Sequence, residues 1–230
     1  MRIAIHQPNY VPWCGYFAKL RAADVFVFLD DAEMSSQSYI YRAQIRGPQG
    51  PQWLSMPNNR HLHQQIREVR MNGTAGAVSH LGKLQGIYRK APFYREVMAL
   101  IEPIYKEPGE LLAEFNQRLV VAIAGYLGIE CRFEVSSQLA PEGTADDRLI
   151  DLVKKLGGST YVSGKGGANY QDPAKFAAAG IALEVRAYRP QPYVQAQGEF
   201  MPGLSIVDAL FNAGRDAAKL LVYPSELPAN

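Results

Sequence analysis

Several side chains that can transfer protons, form hydrogen bonds or stack on rings lie in one short segment near the N-terminus. They are His6, Gln7, Asn9, Tyr10 and Trp13. A neutral imidazole can polarise a phosphate or a carbonyl group, or act as a general acid or base. We therefore predict that His6 is catalytic and that the neighbouring amides and rings bind substrate. The alternatives are structural: an imidazole that only hydrogen-bonds its neighbours, amides that form the turn, and rings that pack in the core.

A second cluster has the chemistry of anion binding and lies in SGKGGANY, residues 163–170. A serine hydroxyl and a series of glycine amides can hold an anion, and Lys165 would add positive charge. The spacing GxxxxGK[ST] of a P-loop is absent. The alternative is a loop that needs glycine only for its backbone conformation. The predicted substrate-binding residues of this cluster are Ser163, Gly164, Gly166, Gly167 and Tyr170.

Four more positions carry charges that suit catalysis or anion binding. Asp30 follows the apolar run at 25–29 and is predicted to be catalytic. Lys19 falls outside the apolar stripe of the first predicted helix, so we expect it near the mouth of the site or in solvent, and predict that it binds substrate. Arg42 and Arg46 are four residues apart, which places both on one face of a strand. Paired guanidinium groups suit a bidentate grip on phosphate or carboxylate, with surface salt bridges as the alternative.

The elements that must position these residues begin with a strand, a turn, a helix and a second strand. Ile3 and Ile5 give the first strand its apolar, β-branched character. Pro12 suits the first turn of a helix, and the apolar run at 25–29 is typical of a strand covered on both faces. Open α/β sheets bind ligands in the crevice outside the carboxyl ends of their strands. The polar turn and Asp30 both fall at such ends.

Strands then alternate with helices, which predicts a largely parallel sheet. We predict a three-layer α/β fold in one domain spanning 1–230, with a β-rich and helical insertion at about 40–106. After the opening unit, the predicted strands are 39–46, 52–56, 66–71, 131–135, 160–164 and 181–185. The predicted helices are 75–90, 93–106, 107–129 and 145–156, with two more that begin at Asp172 and Ser205.

Positive charge is concentrated in the middle of the chain. The formal net charge is only +2, but residues 41–95 contain nine lysines and arginines and a single acid, Glu68. This asymmetry predicts an anionic partner for the segment, with a solvated basic surface as the alternative.

Composition restricts the class of protein. The chain has no apolar run long enough to span a bilayer and no basic-then-apolar signal at its N-terminus. Its two cysteines lack metal-site spacing, and His61 and His63 lie in a polar segment without partner ligands, so we predict no metal site. Reduced thiols favour a cytoplasmic location. The sequence indicates no particular cofactor.

The opening block HQPNYVPWCGYFAKLRAADVFVFLD closely resembles that of the WbqC-like proteins, bacterial proteins often associated with polysaccharide (O-antigen) gene sets. Further similar blocks are YRAQIRG, QWLSMP, RKAPFY, DDRLIDL, TYVSGKGGANY and FMPGLSIVDALFNAG. Arg42 matches the family pattern, whereas Tyr41 stands where the family tends to have asparagine and Lys165 is not required. The strand, His-bearing turn and helix also resemble the nucleotidylyl-transferase or Rossmann-like fold, although those enzymes use a histidine pair and this turn has His6 alone.

The resemblance and the residues together favour an enzyme of the transferase or ligase-like class. Its substrate would be a phosphorylated or activated small molecule, namely a nucleotide, a nucleotide sugar or an activated acyl donor. The resemblance implies a setting in surface-polysaccharide biosynthesis. Two alternatives stay open: an RNA-binding protein, with tRNA as its partner through the basic segment, and a non-catalytic scaffold of a biosynthetic complex.

Overall fold

The computed structural model describes residues 1–36, 38–196 and 198–226. Its centre is a five-stranded sheet of β1 (Arg2–His6), β2 (Val25–Phe28), β5 (Arg132–Val135), β6 (Thr160–Gly164) and β7 (Ala182–Arg186). The spatial order is β5-β2-β1-β6-β7, and every pair of neighbouring strands is parallel. The predicted parallel α/β fold is therefore confirmed. The chain adds β2 and then β5 on one side of β1, and β6 and β7 on the other.

Helices cover both faces of this sheet. The helices in chain order are α1 (Cys14–Arg21), α2 (Ala75–Tyr88), α3 (Tyr94–Lys106), α4 (Leu112–Tyr126), α5 (Ser136–Leu139), α6 (Ala145–Lys155), α7 (Lys165–Ala168), α8 (Pro173–Ala178) and α9 (Ile206–Ala213). Alternate residues of a strand point to opposite faces, so β1 contributes to two cores. Ile3 and Ile5 pack with residues of α6 and α8, whereas Ala4 packs with residues of α1, α4 and α9.

The insertion consists of an antiparallel hairpin followed by helices. β3 (Arg42–Gly47) pairs with β4 (Gly50–Ser55), and α2 and α3 follow. The hairpin buries Ala43, Ile45 and Leu54 in the same apolar cluster that covers one face of the sheet. The predicted helices 75–90 and 93–106 match α2 and α3 closely.

The prediction of a strand at 66–71 is wrong, because Ile66–Glu68 forms a 3-10 turn. The Gln65 and Glu68 side chains cap each other's backbone there, and Ile66 and Val69, three residues apart, are both buried. That spacing suits a helical turn and not the two-residue period of a strand. The following residues make only isolated bridges, from Arg70 to Leu111 and from Met71 to Asn58.

Two other boundaries differ from the predictions. The helix predicted at 107–129 begins only at Leu112. Gly109 has a positive φ of 76°, which is incompatible with an α-helix, so the helix cannot extend back through this residue. The glycine-rich segment after β6 forms the short helix α7 where a loop was predicted, and α5 was not predicted. Within the described ranges, no helix combines the length and apolar character needed to cross a membrane.

The polar turn after β1 is held by distant parts of the chain. Asn116 of α4 donates hydrogen bonds to the carbonyl oxygens of Pro8 (2.8 Å) and Ile40 (2.7 Å). The Ser205 hydroxyl donates to the Val11 carbonyl. Val11 has φ of 29°, a conformation that strains a β-branched residue and persists only where the surroundings enforce it. The turn is therefore fixed from two sides.

Candidate functional site

A cavity of about 530 Å³ opens at the carboxyl ends of β1 and β6. These neighbouring strands mark the point where the strand order reverses, which is where open α/β sheets bind ligands. The lining residues come from β1, the turn, α1, the glycine-rich segment and the region after β7. They are Ile5, His6, Gln7, Trp13, Gly15, Tyr16, Lys19, Leu29, Tyr161, Ser163, Gly164, Lys165, Gly166, Gly167, Gln171, Arg186, Tyr188 and Tyr223.

Lys19 lies on the wall of this cavity and is only 7% exposed. Its Nζ donates one hydrogen bond, to the Ile5 carbonyl at 2.7 Å, and stands 5.8 Å from the ring centre of Tyr161. Burial lowers the pKa of Lys19 to about 7. No aspartate or glutamate is among the described residues that line the cavity, and Lys19 forms no ion pair with any described residue. A buried ammonium group therefore faces the cavity without a counter-charge.

His6 lies beside Lys19 and is held in one tautomer. Its Nδ1 is 3.1 Å from the Gln7 carbonyl oxygen, which can only accept, so Nδ1 carries the proton and Nε2 keeps its lone pair. The ring packs edge-on against Tyr16, with 4.8 Å between ring centres, and the Tyr16 hydroxyl donates to the same carbonyl. Burial lowers the pKa of His6 to about 3, and the Lys19 charge adds to this effect. The imidazole is neutral at physiological pH.

The glycine-rich segment forms the opposite wall. A Cβ on Gly167 would lie 2.7 Å from the Ser163 hydroxyl, so a larger residue here would force the Ser163 side chain to move. Gly164 and Gly166 have open space where a Cβ would be. The backbone of this segment is thus accessible to a ligand, and the exposed Lys165 adds a second positive charge to the lining.

The rim contains residues for which sequence reasoning proposed no role. Arg186 pairs with Glu184 and Glu226 and stacks on Tyr223, so its charge is already compensated. Arg186 is the last residue of β7. Its position at the carboxyl end of a strand is the same signal that led to the prediction for Asp30, so the sequence could have indicated Arg186 as well. Tyr188 packs edge-on against Trp13. For Tyr188 and Tyr223, which follow the last strand, the sequence carries no comparable signal.

A second cavity, of about 410 Å³, adjoins the first, and His6 and Trp13 line both. The predicted site residues Asn9 and Tyr10 face this second cavity. Tyr10 is fully buried, and its hydroxyl hydrogen-bonds His80 Nδ1 at 2.8 Å and the Tyr105 hydroxyl at 2.6 Å. The residues that line the second cavity are His6, Asn9, Tyr10, Val11, Pro12, Trp13, Tyr39, Ala43, Gln44, Gly203 and Ser205.

The remaining predicted site residues lie elsewhere. The Asp30 carboxylate accepts hydrogen bonds from the Ser137 amide (2.9 Å) and hydroxyl (2.7 Å), which fixes the start of α5, and Asp30 lines neither cavity. Arg42 and Arg46 do share one face of β3, but Arg42 stacks on Trp53, whereas Arg46 donates to the Glu199 carbonyl and lines a third cavity. Tyr170 is exposed beyond the lining.

The first cavity thus brings together eight of the predicted residues from two distant stretches of sequence. They are His6, Gln7, Trp13, Lys19, Ser163, Gly164, Gly166 and Gly167. Across the described residues, no group of three or more histidine, cysteine, aspartate or glutamate side chains is arranged to hold a metal ion. The arrangement offers an accessible backbone, a buried ammonium group and a neutral imidazole, which together can bind an anion and accept a proton.

Comparisons with known proteins identify a family for the chain but assign it no reaction. The model of the WbqC-like protein family matches residues 7–220. The chain is 34% identical over 228 residues to an uncharacterized protein of Mycobacterium tuberculosis, Rv1507c, in an alignment that covers 96% of this chain and 98% of that protein. No solved structure matches the chain significantly. From the extent of the family match, the chain belongs to the WbqC-like protein family.

Proposed function

We propose that this protein is a transferase or ligase-like enzyme whose first cavity binds the anionic part of a phosphorylated or activated small molecule. The single observation that carries the proposal is the buried Lys19 ammonium group, which faces the cavity without an acidic partner among the lining residues. Perturbed ionisable groups in a cleft are typical of functional sites.

The chemistry of Lys19 favours an anion as the occupant. An ammonium group has three donors, and here the Ile5 carbonyl uses one of them. Burying such a charge is costly unless a partner compensates it. A phosphate or carboxylate oxygen of a ligand would provide the negative charge and the hydrogen-bond acceptors that the lining residues do not provide. The Lys165 charge and the accessible glycine backbone on the opposite wall suit the same ligand.

His6 is placed to accept a proton from a reacting group. The bond to Gln7 fixes the ring and leaves the Nε2 lone pair for a substrate hydroxyl or amine. An anion bound at Lys19 would neutralise one of the charges that lower the pKa of His6, so substrate binding makes the imidazole a better base.

Family membership supports a proposal for the setting of this chemistry. The resemblance associates such proteins with surface-polysaccharide gene sets, so we place the reaction in the building or modification of a polysaccharide sugar in the cytoplasm. The expected substrate classes are a nucleotide, a nucleotide sugar or an activated acyl donor. Each carries a phosphate or a comparable anionic group that Lys19 would bind.

A thermal-shift and calorimetric experiment tests the proposal with inorganic pyrophosphate as the probe, followed by representatives of the three substrate classes. A ligand at about 100 times its dissociation constant stabilises the fold by about 2.7 kcal/mol. We expect pyrophosphate to stabilise the wild type and Lys154→Met, since Lys154 is an exposed lysine on α6. It should fail to stabilise Lys19→Met. His6→Ala should bind pyrophosphate but lose turnover of the substrate that the panel identifies.

Two results would contradict the proposal. Equal binding by Lys19→Met and the wild type would remove the proposed anion site. A complete absence of shifts across the panel would favour the non-catalytic scaffold.

An RNA-binding role is the second candidate, and one surface of the hairpin favours it. Arg42 stacks on Trp53 with 4.5 Å between guanidinium and ring, and Tyr39 packs against the same ring on the exposed side of the basic segment. Single-stranded nucleic acids bind to such aromatic and basic surfaces. A titration with tRNA at two salt concentrations tests this role. Salt-sensitive binding that Trp53→Ala abolishes would support it, and the absence of binding would contradict it.

A further inference from the structure

The two adjoining cavities differ in charge. The first contains Lys19, Lys165 and Arg186, whereas the second has no lysine, arginine, aspartate or glutamate among the described residues that line it. We propose that the second cavity binds the acceptor of the transfer, an uncharged ring that carries several hydroxyl groups. This inference rests on the proposed function and adds to it the class of the second substrate.

Asn9 is the residue that points most directly to a ligand in the second cavity. It is only 9% exposed, and its side-chain amide forms no hydrogen bond with any described residue. The Asn9 amide is not among the side-chain groups that are sealed from solvent, so its hydrogen-bonding capacity is open to a molecule in the cavity. The amide lines the cavity, so a ligand placed there would supply the missing partners.

A second amide faces the same cavity from the hairpin. The Gln44 side chain also has no hydrogen-bond partner among the described residues, while its backbone carbonyl accepts from the Ser205 amide. Each amide offers two donors and an acceptor. A hydroxyl group both donates and accepts, so several hydroxyls around a ring match two amides better than an ion would.

Two exposed aromatic rings complete the second cavity. Trp13 is 40% exposed and Tyr39 is 60% exposed, although large aromatic side chains usually bury most of their surface. Their apolar faces suit the carbon face of a ring whose edge carries the hydroxyls. Pockets that combine aromatic walls with a few placed amides are typical of specific small-molecule sites.

His6 connects the two cavities, because it lines both. A hydroxyl group of the acceptor in the second cavity would donate a hydrogen bond to His6 Nε2. The activated substrate would be bound in the first cavity, with its anionic group at Lys19. The hydroxyl oxygen forms the new bond to the transferred group. The bond from that group to its phosphate breaks, and its electron pair stays on the leaving phosphate oxygen. The hydroxyl proton passes through His6 to that oxygen, which balances atoms and charge.

Saturation-transfer NMR tests the inference with the methyl pyranosides of glucose, galactose, mannose and N-acetylglucosamine as probes. At least one of the four should give a signal with the wild type. Asn9→Ala should weaken its binding about fivefold or more, since one net hydrogen bond is lost. The matched control is Asn59→Ala, at an exposed asparagine outside both cavities. Gln44→Ala is a second variant in case Asn9→Ala fails to fold.

Lys19→Met separates this inference from the proposed function. It should keep the pyranoside signal and lose pyrophosphate binding, whereas Asn9→Ala should do the reverse. The inference is overturned if none of the four pyranosides binds, or if neither Asn9→Ala nor Gln44→Ala weakens the signal. Binding of adenine, a planar ring without hydroxyls, in competition with the pyranosides would show that the cavity selects flat rings and would also overturn it.

Discussion

Two buried ionisable side chains, Lys19 and Asp208, differ in how well their surroundings satisfy them with hydrogen bonds. Asp208, on α9, is fully buried, and its carboxylate accepts hydrogen bonds from the Tyr88 hydroxyl (2.7 Å) and the Tyr193 hydroxyl (2.6 Å). Lys19 donates one hydrogen bond to a carbonyl and has no acidic partner in the described chain. Burial raises the pKa of Asp208 and lowers that of Lys19, as expected when a charge leaves water.

The difference separates a structural charge from a functional one. The hydrogen bonds from Tyr193 and Tyr88 and the nearby charge of Arg46 partly counteract the effect of burial, which still raises the pKa of Asp208. This network links α9 to α2 and to the segment after β7. A buried polar network that is complete holds elements together, whereas an incomplete one leaves an interaction for a ligand. We therefore assign Asp208 to stability and Lys19 to binding.

The largest expected effect comes from breaking the complete network. Asp208→Ala leaves the buried Tyr88 hydroxyl and the half-buried Tyr193 hydroxyl without their acceptor, and Arg46 without a nearby negative charge, so the free energy of unfolding should fall by about 4 kcal/mol. Urea denaturation measures it. Asp216→Ala, at an exposed aspartate paired with Lys219, should change it by less than about 0.5 kcal/mol. A similar small loss for Asp208→Ala would refute the structural role.

Removing the uncompensated charge should have the opposite sign. Lys19→Met keeps an apolar chain of similar length and ends the cost of burying an ammonium group. The free energy of unfolding at pH 7 should therefore rise, by about 2 kcal/mol. Urea denaturation of the two proteins measures the difference. A marked destabilisation would mean that Lys19 holds the fold together, as Asp208 does.

The pH dependence of stability should identify the same lysine. The pKa of Lys19 is about 7 in the folded chain and 10.5 in the unfolded one, so between these values the unfolded chain binds more protons. Stability should rise with pH in this window, by about 1.5 kcal/mol from pH 7 to 8.5. The difference between wild type and Lys19→Met isolates this contribution from the other groups. Parallel stability curves for the two proteins would contradict the assignment.

The smallest effect is expected at the unpartnered amide of the second cavity. Asn9→Ala removes no side-chain hydrogen bond to any described residue, so the free energy of unfolding should change by at most about 0.5 kcal/mol in thermal or urea denaturation. Asn116→Ala is the comparison, because it removes the bonds to the carbonyls of Pro8 and Ile40. It should cost several times more. Equal losses for both variants would show that Asn9 has a structural role.

The local patterns of the sequence predicted the elements and the edge of the sheet where the first cavity lies. Ile3 and Ile5, the prolines of the turn and the apolar run at 25–29 are short-range signals, and each element they predicted is present. The prediction of a strand at 66–71 was wrong because the strand pattern there is weak. The hydrogen bonds of the Gln65 and Glu68 side chains to the backbone favour a helical turn instead.

The division of the site into two cavities could not be predicted from the sequence. Asn9 and Lys19 belong to one short segment, but Gln44 and Ser205 help to form the second cavity from far along the chain. Asp30 follows its strand as expected. Its carboxylate, however, accepts hydrogen bonds from Ser137, which lies more than a hundred residues later in the chain. That Lys19 has no acidic partner in the described part of the chain is also a property of its three-dimensional surroundings, because none of the described aspartates and glutamates forms an ion pair with it.

The most direct test of the anion site is the proton balance of pyrophosphate binding. Calorimetric titrations at pH 8 in buffers of different ionisation enthalpy measure the protons taken up with the ligand. At this pH, Lys19 with a pKa of about 7 is mostly neutral. Binding of an anion beside it should raise that pKa and take up close to one proton, and Lys19→Met should neither bind nor take up protons. Binding by the wild type without proton uptake, or equal uptake by Lys19→Met, would contradict the account.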